Sequence, residues 1–362
     1  MNHEPIEAKL QACFPEAMPL SPAQSGRIIK LCIALLLAGE VHLTKIARFM
    51  TGAQQQDSRV RWITRLLEAR FLSIDRVYHP VLKMMMSKFN ADCWHLVIDR
   101  TALGRGQRDL ATISLNYRKR AIPLVWCRVP FGGAPLKQYI DLVNECVPLI
   151  PAGIQVVLHG DSEFGGAAMI RALRHIGWDF ILAQPQHIVY RRRTDHKPQA
   201  LSTLPVPRHG TYSMGNVELF AQTWLGGINL LAFYQPHYTK TGRCTRRILY
   251  LSTSLPLTRS TRRLGRRRWG TEPFYRDYKS AGWHVTWSQL QNPQRQQGLL
   301  ILLALNYLLC VGLGRTLCKM GQRSSVDAKP TRHLSLFRLG WDWLIHLLCC
   351  GQPIPFRLRL YT

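Results

Sequence analysis

Acidic residues are scarce in this chain. It carries 21 Asp and Glu in 362 residues against 48 Lys and Arg, a formal charge of +27 and an isoelectric point near 10.3. A folded chain this basic repels itself unless a polyanion offsets the charge. Nucleic acid is the leading partner, because phosphate contacts supply most non-specific affinity. Charge alone also admits a membrane surface or ribosomal RNA. Metal-spaced thiols are missing too. The ten cysteines contain no Cys-x2-Cys and no Cys/His pairing at zinc spacing, the nearest two being Cys349 and Cys350. They read as reduced, mostly buried thiols of a cytosolic protein. No secretory signal is visible in the acidic, polar segment Met1 to Leu10. The longest apolar stretch, Leu299 to Leu313, is interrupted by Asn306 and is short for a bilayer crossing, so it reads as a buried helix and no membrane partner is expected. A hydrophobic share of 46% with only 19% charged residues excludes a disordered basic tail. The length predicts two or three domains.

Residues 1–88 read as a helical region. Ile28 to Ala38 is an apolar helix that Gly39 ends, and Leu43, Ile46, Ala47 and Met50 mark one buried helix face. After a break at Thr51-Gly52, Asp57 or Ser58 caps a helix carrying Arg59, Arg61, Arg65 and Arg70 around Val60, Ile63, Leu66 and Leu67. Two short helices, the second rich in arginine, suit a helix-turn-helix entering DNA. A small bundle with a basic outer face fits the same spacing. From residue 89 to 184 strands alternate with helices: strands at 94–99, 110–116, 121–128, 154–160 and 179–183, helices at 136–149 and 163–175. Residues 185–257 hold Pro185, Pro198, Pro205, Pro207 and Pro236 and short β-like stretches at 217–223, 228–234 and 247–253, which reads as a mostly β insertion. Residues 258–320 return to the core, and 321–362 form a basic C-terminal tail.

Against the shortage of acids, three stand out. Asp99 closes the apolar run Trp94 to Ile98, Asp161 closes Val156 to Gly160, and Glu272 follows the densest basic stretch, six arginines between Arg259 and Arg268. Open α/β sheets collect ligands at strand ends. Two divalent ions roughly 3.5–4 Å apart can run phosphodiester hydrolysis or transfer, and hard Mg²⁺ prefers carboxylate oxygen and water. Each strand-end Asp taken singly is as readily a turn residue. If 268–279 is helical, Arg268, Glu272, Tyr275 and Lys279 share one narrow face. Such a face sets a metal-binding Glu among groups that hold a phosphate. It also fits an ordinary Arg–Glu pair on a solvated helix.

These motifs together resemble the IS4 family of transposases, within the class that carries an Asp/Asp/Glu triad on an RNase H-like core. The resemblance rests on Ile98-Asp99-Arg100-Thr101 followed by Ile122-Pro123-Leu124-Val125-Trp126, on His159-Gly160-Asp161-Ser162-Glu163-Phe164-Gly165, and on Arg268-x3-Glu272-x6-Lys279 with Trp269 and Tyr275-Arg276. The helices from Leu43 to Leu67 and the segment His333 to Gly340 are also similar, so nearly the whole chain is covered. Four positions depart from the family pattern. Gly265 replaces a Tyr, Ser162 replaces an Arg, Pro273 directly follows Glu272, and Tyr250 stands where some relatives stack an extruded base on a Trp.

The resemblance implies an α/β RNase H-like core with a β-rich insertion, a helical DNA-binding region before it and helices after it. It implies a DNA transposase that cuts and joins the ends of an insertion sequence. Asp99, Asp161 and Glu272 would hold two Mg²⁺ ions, with Mn²⁺ able to substitute. Arg268, Tyr275, Arg276 and Lys279 would hold phosphates near the cut, and Arg266, Arg267, Arg59, Arg61 and Arg65 would bind flanking DNA. A homodimer on two DNA ends and a prokaryotic cytoplasmic, nucleoid-associated setting follow from the same resemblance. A metal-dependent nuclease without strand joining and a catalytically impaired DNA-binding relic are the other readings.

Overall fold

The computed structural model describes residues 7, 8, 10, 18–50, 55–103, 108–194, 197–238, 244–265, 271–328, 333–352, 354 and 360. The chain forms two compact units: an α/β unit of residues 92–102 and 108–274, and a helical unit of residues 1–91, 103–107 and 275–362.

The α/β unit is built on one ten-stranded sheet. Its first five strands are β1 (Cys93–Ala102), β2 (Asp109–Tyr117), β3 (Arg120–Val129), β4 (Gln155–Gly160) and β5 (Asp179–Gln184). They lie in the order β3-β2-β1-β4-β5, with β1 to β3 an antiparallel meander and β4 and β5 parallel to β1. This mixed arrangement is the RNase H-like core. Pro123, which cannot donate to a ladder, sits on β3 at the sheet edge beside an irregularity at Ile113/Ser114. Helix α1 (Leu136–Cys146) connects β3 to β4, and α2 (Ala167–His175) connects β4 to β5. Residues 147–149 make a separate short turn after α1, because Pro148 cannot continue the ladder. The expected helix 163–175 also starts late. Residues 162–164 form a 3-10 turn, and Gly165 lies flat against β5, where a Cβ would sit 2.4 Å from the Ala183 carbonyl oxygen.

The segment between Asp161 and Glu272 extends this sheet. Strands β6 (Val189–Arg192), β7 (Gln199–Ala200), β8 (Tyr212–Leu219), β9 (Leu225–Tyr238) and β10 (Cys244–Thr253) continue it as β10-β9-β8-β6-β7, with β10 antiparallel to β5. Val157, Ile181, Ala183, Leu231, Phe233, Leu249 and Leu251 pack as one apolar cluster on one face of that joint, with Leu255, Leu257 and Leu264 against it.

In the helical unit the central element is Pro293–Lys319, 27 residues with Asn292 capping it by accepting from the backbone N–H groups of Gln294 and Arg295. It is long and apolar enough to cross a membrane by composition, yet 94% of its most apolar window is buried inside the protein. Asn306, the polar interruption, donates to the Cys32 carbonyl oxygen at 3.1 Å, which satisfies its amide in the core. The C-terminal segment includes a helix, Leu336–Cys349, whose backbone closely approaches the central one at Gly314 and Gly340.

The cysteines depart from expectation. Of the nine described, Cys32, Cys146 and Cys310 are buried, whereas Cys244, Cys349 and Cys350 are exposed because they lie at a strand start and a helix C-terminus. Burial pushes the Cys32 and Cys146 thiols up to about 12, so neither yields a thiolate near neutrality. Iodoacetamide at pH 8 is expected to label Cys244, Cys349 and Cys350 in the folded protein and to reach Cys32 and Cys146 only in denaturant, as read by peptide mass spectrometry.

Candidate active site

The pairing of β1 with β4 decides where the first two acids stand. Ile98 is the register partner of Gly160 across parallel strands, so Asp99 and Asp161 are each the next residue along from that pair. Adjacent strands lie roughly 4.8 Å apart, so the two residues are near neighbours by backbone position. Gly160 is needed there. A Cβ on it would fall 2.9 Å from Leu182 Cδ2 and 3.0 Å from Ile98 Cγ2. That face of the sheet is occupied, and Asp161 follows on the other. In each acid Oδ1 accepts the backbone N–H of the next residue, Arg100 at 2.8 Å and Ser162 at 2.7 Å, which fixes the carboxylate plane. Asp99 is half-buried and Asp161 exposed. Alternation along β1 and β4 puts His95 and His159 on the same face, where Nδ1 of His95 and Nε2 of His159 share a hydrogen bond of 3.1 Å.

Glu272 belongs to the same unit and is exposed in the first turn of helix Thr271–Tyr278. Pro273 is therefore tolerated, since a proline in the first turn removes no helical hydrogen bond. This corrects the single helical face expected from 268 to 279: Lys279 falls one residue past the helix end. Arg266, Arg267 and Arg268 lie outside the described residues. Tyr275, Arg276 and Lys279 fall in the helical unit, Tyr275 buried and Arg276 exposed. The donors suit a hard cation, being carboxylate oxygens only. Among the described residues, however, no three His, Cys, Asp or Glu side chains are gathered closely enough to hold one ion. Register brings Asp99 and Asp161 together; Glu272 is not gathered with them into one cluster.

A second set of groups, which the sequence reading passed over, lies next to the two Asp residues. Arg100 directly follows Asp99, and its Nε donates to both oxygens of Glu163 at 2.9 and 3.0 Å. Its Nη1 pairs with Asp109, a carboxylate only 1% exposed. Tyr139 on α1 donates its hydroxyl to Glu163, and its ring packs edge-on against Phe164 at 4.9 Å. The backbone N–H of Gly132 donates to Asp109 at 3.2 Å. Gly133, at φ +127°, passes so close to Glu163 that a Cβ would lie 2.9 Å from its Oε1. Partial burial opposes the charge on Arg100, but its bonds to Glu163 and Asp109 win and raise the guanidinium above its usual range. Burial, then the bond to Glu163, drives the Tyr139 phenol up and keeps it protonated. The available signal was Glu163 itself, an acid inside the motif His159-Gly160-Asp161-Ser162-Glu163.

Of the arginines expected on DNA, Arg61 and Arg65 are exposed on helix Gln56–Leu67. Arg59 is half-buried and donates to the Ala47 carbonyl oxygen at 3.4 Å, tying this helix to Leu43–Arg48. The helix starts before Asp57, with Gln55 at its N-cap. Asp57 sits in the first turn, where a negative charge meets the positive helix end. Arg65 and Arg27 line a cleft of about 250 Å³ with Trp62 and Phe71. Two departures from the family pattern also have structural reasons. At Gly265 a Cβ would lie 2.6 Å from Leu251 Cδ1, leaving no room for a tyrosine unless Leu251 moves. Tyr250 is 6% exposed, so its ring is not presented for stacking an extruded base.

Residues 132–309, just under half of the chain, match the family model described as "Transposase DDE domain". The match supports a DDE transposase domain in this chain; it includes Asp161, Glu272 and Lys279 and begins after Asp99. Among curated proteins none matches. The chain is similar to a cryo-EM structure of a piggyBac transposase synaptic complex with hairpin DNA, at 13% identity and a TM-score of 0.47 over 97% of this chain and 79% of that one.

The turn that carries Asp161 is docked on β5 through Gly165, whose carbonyl accepts from Gln184 Nε2 at 2.9 Å. Gly165→Ala is expected to cost about 1–3 kcal/mol by overpacking, read as a lowered midpoint in urea.

Proposed function

We propose that this chain is a DNA transposase that cuts and joins the ends of an insertion sequence, with Asp99, Asp161 and Glu272 holding two divalent ions, Mg²⁺ or Mn²⁺. The observation that carries the proposal is the register of β1 on β4, which brings two acidic residues to the point where the parallel pairing ends, in a chain with only 21 acids. The DDE-domain match over 132–309 supports it independently, because it was found without Asp99.

When bound, the ions supply Lewis-acid stabilisation of the developing charge on the phosphodiester and activation of the attacking oxygen. The residues supply position. Asp99 and Asp161, each pinned by the N–H that follows it, hold their charge at fixed points without reorganising during reaction. Glu272 is the third ligand in this reading. Carboxylates repel one another until cations neutralise them, so its approach accompanies ion and DNA binding. Arg276 and Lys279, with Arg266, Arg267 and Arg268, take phosphates around the cut, and Tyr275 supports them. Arg61 and Arg65 hold flanking DNA, while Arg59 acts by joining its helix to its neighbour. Joining two DNA ends calls for two copies of the chain, and the proposed setting is the nucleoid of a prokaryote.

The test is cleavage and joining of DNA carrying the element's own ends, with Mg²⁺ or Mn²⁺. Both products are expected from the wild-type chain. Asp99→Asn and Asp161→Asn are each expected to lower both by at least about a hundredfold, the scale on which electrostatic transition-state groups act, with DNA affinity retained. Cleavage without joining would make the chain a nuclease. Tight DNA binding without either product would make it a relic.

A further inference from the structure

We infer that Glu163 and Arg100 form a positioning staple that sets the spacing of the two metal-binding aspartates; the inference rests on the transposase reading above. Arg100 is the residue after Asp99 on β1, and Glu163 is two residues after Asp161 beyond β4. Their contact at 2.9 and 3.0 Å therefore closes a bridge across the ends of the two strands, outside the last paired residues Ile98 and Gly160. Beyond that last pair β1 and β4 are no longer paired with each other, although β1 stays paired with β2 as far as Ala102. Two carboxylates left there would repel each other and splay the strand ends. A guanidinium tied to the far segment opposes that motion.

The bridge is itself held on both sides. Asp109 on β2 anchors Arg100 from the β2 side and is buried, so Arg100 cannot swing away without taking from a buried carboxylate the cation that pairs with it. Tyr139 donates to Glu163 and Gly133 packs closely against it, while the Gly132 N–H donates to Asp109. A planar fork is required, because one cation must meet two carboxylates in different directions. The same bonds explain why Glu163, an acid beside Asp161, is not spent on the metal: both of its oxygens already accept from Arg100. Glu163 and Arg100 touch neither substrate nor ion in this account and act only through Asp99 and Asp161.

The test uses the full chain and Mn²⁺ alone, with bound and free ion separated by electron paramagnetic resonance. Glu163→Ala is expected to weaken Mn²⁺ binding by about 10–100-fold, as loss of groups that orient metal ligands generally does, with the thermal midpoint and DNA affinity close to wild type. Glu163→Gln, which keeps an acceptor for Arg100 and Tyr139, is expected to restore most of the affinity. A merely structural role would move the midpoint and leave the Mn²⁺ titration of the folded fraction unchanged. Wild-type affinity in folded Glu163→Ala would overturn the staple and leave the transposase reading intact. Should Glu163→Ala not fold, Tyr139→Phe, which removes a single oxygen, takes its place. Weakened Mn²⁺ binding in it upholds the staple, and unchanged binding overturns it. A wild-type chain that binds no more Mn²⁺ than Asp161→Asn would overturn the transposase reading and the staple with it.

Discussion

Everything proposed for this protein depends on one strand pairing, the parallel ladder between β1 and β4. Its register, Trp94 with Val156 through Ile98 with Gly160, is fixed because a slip of one residue would turn both apolar runs inside out. Leu96, Leu158 and Phe180 are fully buried on one side, and Val97 and Val157 are nearly so on the other. With the register fixed, the two acids at the ends of the runs have no choice about being neighbours. No interaction between the carboxylates is needed to bring them there, and their mutual repulsion works against it. The sheet's hydrophobic cost of slipping outweighs that repulsion, which near the surface is at most a few kcal/mol.

The charge balance sharpens the point. A chain with more than twice as many basic as acidic residues should neutralise its acids on the nearest cation, and several described acids follow that rule: Glu68 with Arg295, Glu218 with Arg191, Asp327 with Arg323, Asp342 with Arg338. Asp109 and Glu163 follow it through one shared arginine. Asp99 and Asp161 each also accept a backbone N–H at Oδ1, which orients the carboxylate.

Much of this arrangement was legible in the sequence. Apolar runs of five residues followed by Asp identified β1 and β4 as strands of one α/β sheet with a helical segment at 136–149 before the second; that they pair in parallel came from the fold. The β-rich stretches at 217–223, 228–234 and 247–253 correspond to β8, β9 and β10, although nothing in their composition told that β10 would join β5 and lengthen the same sheet. What local pattern could not supply was long-range pairing. Arg100 contacts Glu163 across 63 positions and Tyr139 contacts Glu163 across 24, and such partners have no periodicity to betray them. Gly165 was misplaced in a helix for a related reason: its role is to lie against Ala183, a neighbour distant in sequence.

Pro273 is the instructive case of a local signal with two opposite meanings. Inside a helix it would cost about 3 kcal/mol or more and would argue for a damaged site. In the first turn it costs nothing, because the N–H it lacks has no helical acceptor there. The helix begins at Thr271, so the second meaning holds. The same start places Glu272 in the first turn, where backbone N–H groups lack helical acceptors and the helix dipole is positive.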